Sequence, residues 1–158
     1  MTKFPGNMAP MTRRHALTAT AGALLAGASG RAEAAEAPVL KLLDDFAAAW
    51  NRHDVDGLMA CMTTNCVFEA AAGPDVDGAR HEGAAAVRRA YAAVFATYAD
   101  ARWNHPRHFV AGGRAVSEWT FTGTTAAGAK VEVNGCDVFT LEGGKIAVKN
   151  SYRKQRTA

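Results

Sequence analysis

No charge-free apolar run in this sequence reaches the roughly 18 residues that a membrane-spanning helix requires. Cysteine is scarce: Cys61, Cys66 and Cys136 are the three present. An odd number builds no closed disulfide framework. No CxxC pair or Cys/His cluster has the spacing of a zinc site, so the three read as small buried hydrophobes. No metal or organic-cofactor motif is present. An excess of one charge is also missing where it matters. The formal charge is +3, from 18 basic and 15 acidic residues. However, Lys3, Arg13, Arg14 and Arg31 lie in residues 1–34 with Glu33 as the only acid, which leaves 14 basic and 14 acidic residues beyond. A neutral remainder argues against nucleic-acid binding, which needs a basic surface for the phosphates.

What is there begins with a segment that is not fold. Residues 12–17 read Thr-Arg-Arg-His-Ala-Leu, an uncharged Ala/Gly/Thr-rich run follows from Ala16 to Ser29, and Ala32-Glu33-Ala34 supplies small residues for cleavage. A charged start, a short apolar middle and an A-x-A end predict a signal peptide over residues 1–34. The paired arginines and weakly hydrophobic middle resemble twin-arginine signals. The expectation is cleavage near Ala34, a mature domain over residues 35–158 and a periplasmic or secreted location. In its mature form the protein is expected to be free of the membrane.

From Pro38 the pattern turns helical, with Val39, Leu42, Leu43, Phe46 and Trp50 on one face. Asp54 can cap a short second helix carrying Leu58, Met59 and Met62. Residues 65–71 read as a strand, 73–83 as a Gly/Pro/Asp-rich loop and 84–99 as a third helix. The period then changes to two. Strands are predicted near 102–111, 114–124, 129–141 and 145–153, joined by short Gly-containing links. The order α-α-β-α-β-β-β-β predicts an α+β domain: a curved antiparallel sheet packed by three N-terminal helices around a cavity.

Three stretches resemble the nuclear transport factor 2 superfamily: the run from Asp45 to Phe68, the segment Gly83-Ala-Ala-Ala-Val-Arg, and Asp137-Val-Phe-Thr-Leu-Glu-Gly-Gly-Lys-Ile. The resemblance covers about residues 38–154 and implies a cone-shaped fold. That superfamily includes SnoaL-like polyketide cyclases, ketosteroid isomerases, epoxide hydrolases, dehydratases and non-catalytic binding domains, so the fold does not choose an activity. By resemblance to the isomerases, Asp137 matches a hydrogen-bond donor to the substrate oxyanion and Tyr91 a member of its network. Phe46 stands where their second donor is expected, Ala70 where their general base is expected, and Ser151 where the epoxide hydrolases carry an aspartate. The resemblance also implies a homodimer formed through the outer face of the sheet.

Alternate strand residues share a face. With Asp137 inward, Phe139 follows, and the resemblance puts Lys149, Ser151 and Arg153 inward on the last strand. On strand 114–124 it puts Arg114, Val116, Glu118 and Thr120 inward; a one-residue slip would exchange Glu118 for Trp119. The predicted site is therefore Asp137, Lys149 and Glu118 as acid–base groups. Phe46, Trp50, Phe68, Tyr91, His108, Phe139 and Ser151 are expected around a small apolar molecule. Buried charges need partners, and burial with pairing can bring a proton-transfer group near the working pH. A desolvated lysine can instead form an imine. Three functions compete on this evidence: a cofactor-free lyase or isomerase acting on a small carbonyl or hydroxylated compound, a ligand-binding domain without chemistry, and a purely structural dimer partner, in which Lys149 and Asp137 contact each other and no cavity of about 300 Å³ exists.

Overall fold

A computed structural model describes the backbone of residues 20–156, with side chains from residue 36 to 156. The chain divides into two compact units, Met1–Ala34 and Ala35–Ala158. The twin-arginine pair at Arg13 and Arg14 lies outside the described residues. Among the described residues no helix is long and apolar enough to cross a membrane.

Helix α1 (Thr20–Asn51) carries Leu43, Phe46, Ala47 and Trp50 on its buried face. It ends where His53 takes a left-handed backbone conformation, φ 56°, which stops helical propagation. Asp54 then caps α2 (Val55–Ala60), its carboxylate accepting the Gly57 N–H at 2.8 Å. Helix α3 (Ala84–Thr97) buries Val87, Ala90 and Tyr91.

Six strands form one sheet in the order β2-β1-β6-β5-β4-β3. They are β1 (Met62–Glu69), β2 (Arg80–Glu82), β3 (Arg102–Ala111), β4 (Arg114–Thr124), β5 (Lys130–Glu142) and β6 (Lys145–Arg153). The last four make a hairpin meander, as the glycine-marked links predict. Three features differ from the sequence expectation. Met62, expected on the second helix, opens β1 instead. A three-residue strand, β2, lies inside the expected 73–83 loop and pairs with β1. The sheet is also not wholly antiparallel, because β1 runs parallel to β6. The loop returns over β1 through backbone bonds between Ala70 and Ala79 and between Ala79 and Ala72. Arg80 then ties β2 down by pairing with the buried Glu69.

The strand faces are set by where apolar residues alternate. On β4, Ala115, Ser117, Trp119 and Phe121 are buried, so the inward set predicted for this strand is off by one residue. Glu118 points outward and pairs with Arg107 at 2.9 Å, its side chain 48% exposed. The physical reason is plain: the predicted register would bury Arg114 and Glu118 and expose Trp119 and Phe121, and the hydrophobic face wins. The wall is bent at β3, where the register with β4 shifts between Asn104 and Arg107 and His105, before Pro106, has φ 53°.

Candidate functional site

The site grows from neighbouring rungs on the inner face of the sheet. Cross-strand pairing sets Lys149 opposite Phe139 and Ser151 opposite Asp137 on β5 and β6, while Ser117 stands opposite Asp137 on β4. The Lys149 ammonium donates to Asp137 Oδ1 at 2.7 Å and to Ser151 Oγ at 2.6 Å. Ser151 donates to the same carboxylate oxygen at 2.5 Å. Trp119 Nε1 donates to the other oxygen, Oδ2, at 2.8 Å. Asp137 is 0% exposed and Lys149 is 2% exposed. A buried carboxylate is tolerated on these terms, with charge and hydrogen bonds satisfied together.

Aromatic rings close around the lysine. Its Nζ lies 4.6 Å from the ring centre of Phe68, 5.3 Å from that of Trp103 and 5.8 Å from that of Trp50, within cation–π range. All three tryptophans of the chain form one stack. Trp50 lies on Trp103 at 4.4 Å and Trp103 on Trp119 at 5.4 Å, nearly parallel in both cases. Asn51 fixes the middle ring, its side chain bonding both the N–H and the carbonyl of Trp103. Gly135 makes room for the last ring: a β-carbon there would stand 2.5 Å from Trp119 Cη2 and 2.4 Å from the Tyr152 carbonyl oxygen. Burial pushes the Lys149 pKa below its ordinary value of 10.5, and Asp137 partly restores it.

Beside this group is a cavity of about 160 Å³, with Lys149, Ser151, Trp50 and Phe68 in its wall and Ala70, Ala71 and Ala72 along one side. That is below the roughly 300 Å³ of drug-sized pockets, and together with the Lys149–Asp137 contact it is what the purely structural reading expects of this site; a cavity of about 150 Å³ nevertheless holds benzene. A wider concavity of about 870 Å³ involves the outward residues Arg107, Glu118, Thr120, Cys136 and Tyr152. Among the described residues no buried ionisable group faces it. The chemistry is therefore placed at the smaller one.

The structure brings together Asp137, Lys149 and Ser151, with Trp50 and Phe68 beside them, and separates the remaining predicted site residues. Glu118 is on the opposite face. Tyr91 is fully buried, but its hydroxyl donates to Met62 Sδ at 3.3 Å and not to the Asp137 network. Burial raises its pKa well above 10.0, so the hydroxyl stays neutral. Phe46 and Phe139 pack edge-on in the core and do not line the cavity. His108 does not reach it either. Its Nδ1 is bonded to Ser117 Oγ at 2.7 Å, and its Nε2 lies 3.3 Å from Asp44 Oδ1 without hydrogen-bond alignment. Burial lowers its pKa from 6.5. Asp44, His108 and Ser117 thus stand in acid–base–nucleophile order, but Ser117 opens to neither cavity and nothing can reach it for attack. Trp103 and Trp119, by contrast, are site residues to which the sequence reading gave no firm role. Their signal is the alternation of Trp119 with Phe121.

With this geometry in place, comparison with known proteins assigns the fold family. Residues 43–149 match the SnoaL-like domain. A candidate polyketide cyclase from Xanthomonas campestris pv. campestris superposes with a TM-score of 0.67 at 19% identity, over 75% of this chain and 92% of that one. An NTF2-like protein of unknown function from Mesorhizobium loti superposes at 0.63 with 28% identity, over 76% and 93%. TerC, co-crystallised with polyporic acid, superposes at 0.64 with 19% identity, over 74% and 92%. No curated protein matches the sequence. The chain belongs to the SnoaL-like domain family.

Proposed function

We propose that this domain is an exported, cofactor-independent lyase or isomerase acting on a small ring-sized compound, with Lys149 as the group at the reacting oxygen. One observation carries the reading: Lys149 is a buried cation in the wall of an apolar cavity, with two of its three N–H donors committed to Asp137 and Ser151. The third is free to bond an oxygen on which negative charge develops. Asp137 is a positioning residue. Its oxygens are taken up by Lys149, Ser151 and Trp119, so it holds the ammonium in place and supports its charge. Ser151, which also lines the cavity, is a relay between the two.

The test uses the compound carried by protein purified from its own source, identified by native mass spectrometry. Wild type converts it. Lys149→Met and the double variant Asp137→Asn/Lys149→Met bind it without conversion, with circular dichroism confirming the fold. The double variant leaves no unpaired charge, so it keeps the test valid if the single variant unfolds. Conversion retained in a folded variant ends the proposal.

A second reading, binding without turnover, is favoured by Ala70. This residue lines the cavity where the isomerase resemblance expects a general base. On that reading the carried compound is returned unchanged by wild type after long incubation.

Export by the twin-arginine route is part of the proposal. The boundary between compact units at Ala34/Ala35 supports it, as does Pro38. Within the long helix α1 this proline is interior, where it costs about 3 kcal/mol. After cleavage near Ala34 it falls in the first turn, where proline is tolerated. Dimerisation through the outer sheet face is proposed as well, supported by the exposed Tyr152 beside the wide concavity. Analytical ultracentrifugation of the mature protein and of Tyr152→Glu decides it: a monomer in both contradicts it.

A further inference from the structure

We propose that the inner cavity selects a small planar monoanion, a single aromatic or enolic ring bearing a carboxylate, with its ring against the tryptophan stack and its charge toward Arg153. The inference rests on the reading above that this cavity is the ligand site.

The first support is the charge of the wall. Among the described residues two cations line the cavity, Lys149 and Arg153, and no carboxylate does. Asp137 offsets one of them from behind, being fully buried and hydrogen bonded through both oxygens. Arg153 is left over. It is exposed at the end of β6, its guanidinium 5.3 Å from the Phe121 ring centre. It takes part in none of the ion pairs formed by the described residues. The site thus carries one uncompensated positive charge, which a monoanion neutralises and a cation would double.

The second support is shape. Phe68, Trp50, Trp103, Trp119, Tyr98 and Phe121 all line the same small space, an apolar slot matched to the flat face of a ring. Its volume of about 160 Å³ is of the size that holds one ring.

The distances agree. Lys149 and Arg153 are four residues apart on one face of β6, so their α-carbons are about 13 Å apart at the rise of an extended strand. Two long side chains reaching inward from that separation bracket a monocyclic acid: Lys149 meets a ring oxygen at the base and Arg153 the carboxylate at the rim. Arginine suits this role, because its planar fork matches a carboxylate.

Because all three tryptophans lie at the cavity, intrinsic fluorescence reports its occupancy. Three ligands of one size serve as probes: benzoate, benzamide and benzylammonium. The expected result is benzoate binding about tenfold or more tighter than benzamide, with benzylammonium weakest. Arg153→Gln removes the advantage of benzoate and leaves benzamide binding unchanged, and Ala71→Trp, which fills the cavity, abolishes both. Equal binding of benzoate and benzamide, tighter binding of the cation, or an equal loss for both ligands in Arg153→Gln overturns the inference and leaves the cavity as a ligand site. Binding of none of the three, or binding that survives Ala71→Trp, overturns the reading of the cavity itself.

Discussion

The two faces of the sheet each hold a carboxylate–cation pair of similar length, and the pairs differ in nearly every other respect. Arg107 and Glu118 meet at 2.9 Å on the outer face, with side chains 74% and 48% exposed. Lys149 and Asp137 meet at 2.7 Å on the inner face and are almost wholly excluded from water. Water can replace either partner of the outer pair at little cost, so the pair contributes little. The inner pair has no such substitute. Each charge depends on the other and on Ser151, and Asp137 depends also on an indole N–H. The contrast shows that proximity of opposite charges identifies neither a site nor a source of stability. What marks the inner pair is desolvation together with a cation in the wall of an aromatic-lined cavity.

The largest effect that should separate the two faces is removal of one inner partner. Lys149→Met strands the Asp137 charge and should cost about 3–5 kcal/mol in urea unfolding. Asp137→Asn/Lys149→Met should recover much of that loss. A cost below about 1 kcal/mol for the single variant would make the inner pair no different from a surface one. Smaller effects follow from the support of the pair. Trp119→Phe removes the N–H that satisfies Asp137 Oδ2 and should cost about 1–3 kcal/mol. Gly135→Ala drives a methyl group into Trp119 and the Tyr152 carbonyl, and should cost about the same by overpacking. Thermal or urea midpoints unchanged in both would remove Trp119 from the account.

A pH dependence sharpens the comparison further. The native Lys149 pKa lies below 10.5 because burial disfavours its charge. Between the native value and 10.5 the unfolded chain binds more protons than the native protein, so stability gained through this residue rises with pH across that window. Below the native value, where both states are charged, the burial penalty is fully present. The difference in urea midpoint between wild type and Asp137→Asn/Lys149→Met, followed from pH 7 upward, should show this rise. The smallest expected effect is on the outer face. Glu118→Gln should change stability by less than about 1 kcal/mol and leave turnover of the carried compound intact; a larger change in either would return Glu118 to the site.

Much of this was legible in the sequence, for reasons that differ by residue. The helices follow from the spacing of Leu43, Phe46 and Trp50 and from the Asp54 cap, and the meander from its glycine-containing links. Asp137, Lys149 and Ser151 could be set on one face because the resemblance anchored one residue on each of the last two strands and alternation along each strand supplied the rest. Glu118 failed on the same rule, since its register depended on a resemblance across a variable loop, and the alternation of Trp119 with Phe121 was the better guide. Strand β2 was hidden because three polar residues form it only through pairing with β1 and the Glu69–Arg80 contact. The Tyr91 hydroxyl and the Trp50–Trp103–Trp119 stack depend on which distant elements meet, and no local pattern encodes that. Arg153 was read as inward, but its role emerges only when the charges lining the cavity are taken together.

The most direct test of the account is the titration of Lys149 itself. In protein labelled on lysine side chains, the Lys149 resonance, assigned by its absence in Asp137→Asn/Lys149→Met, should titrate with a midpoint below 10.5 and change position when benzoate saturates the protein, because the ring fills the space in front of the ammonium. A midpoint at the ordinary lysine value, or a resonance that saturating benzoate leaves unchanged, would contradict the claim that this buried cation faces the ligand.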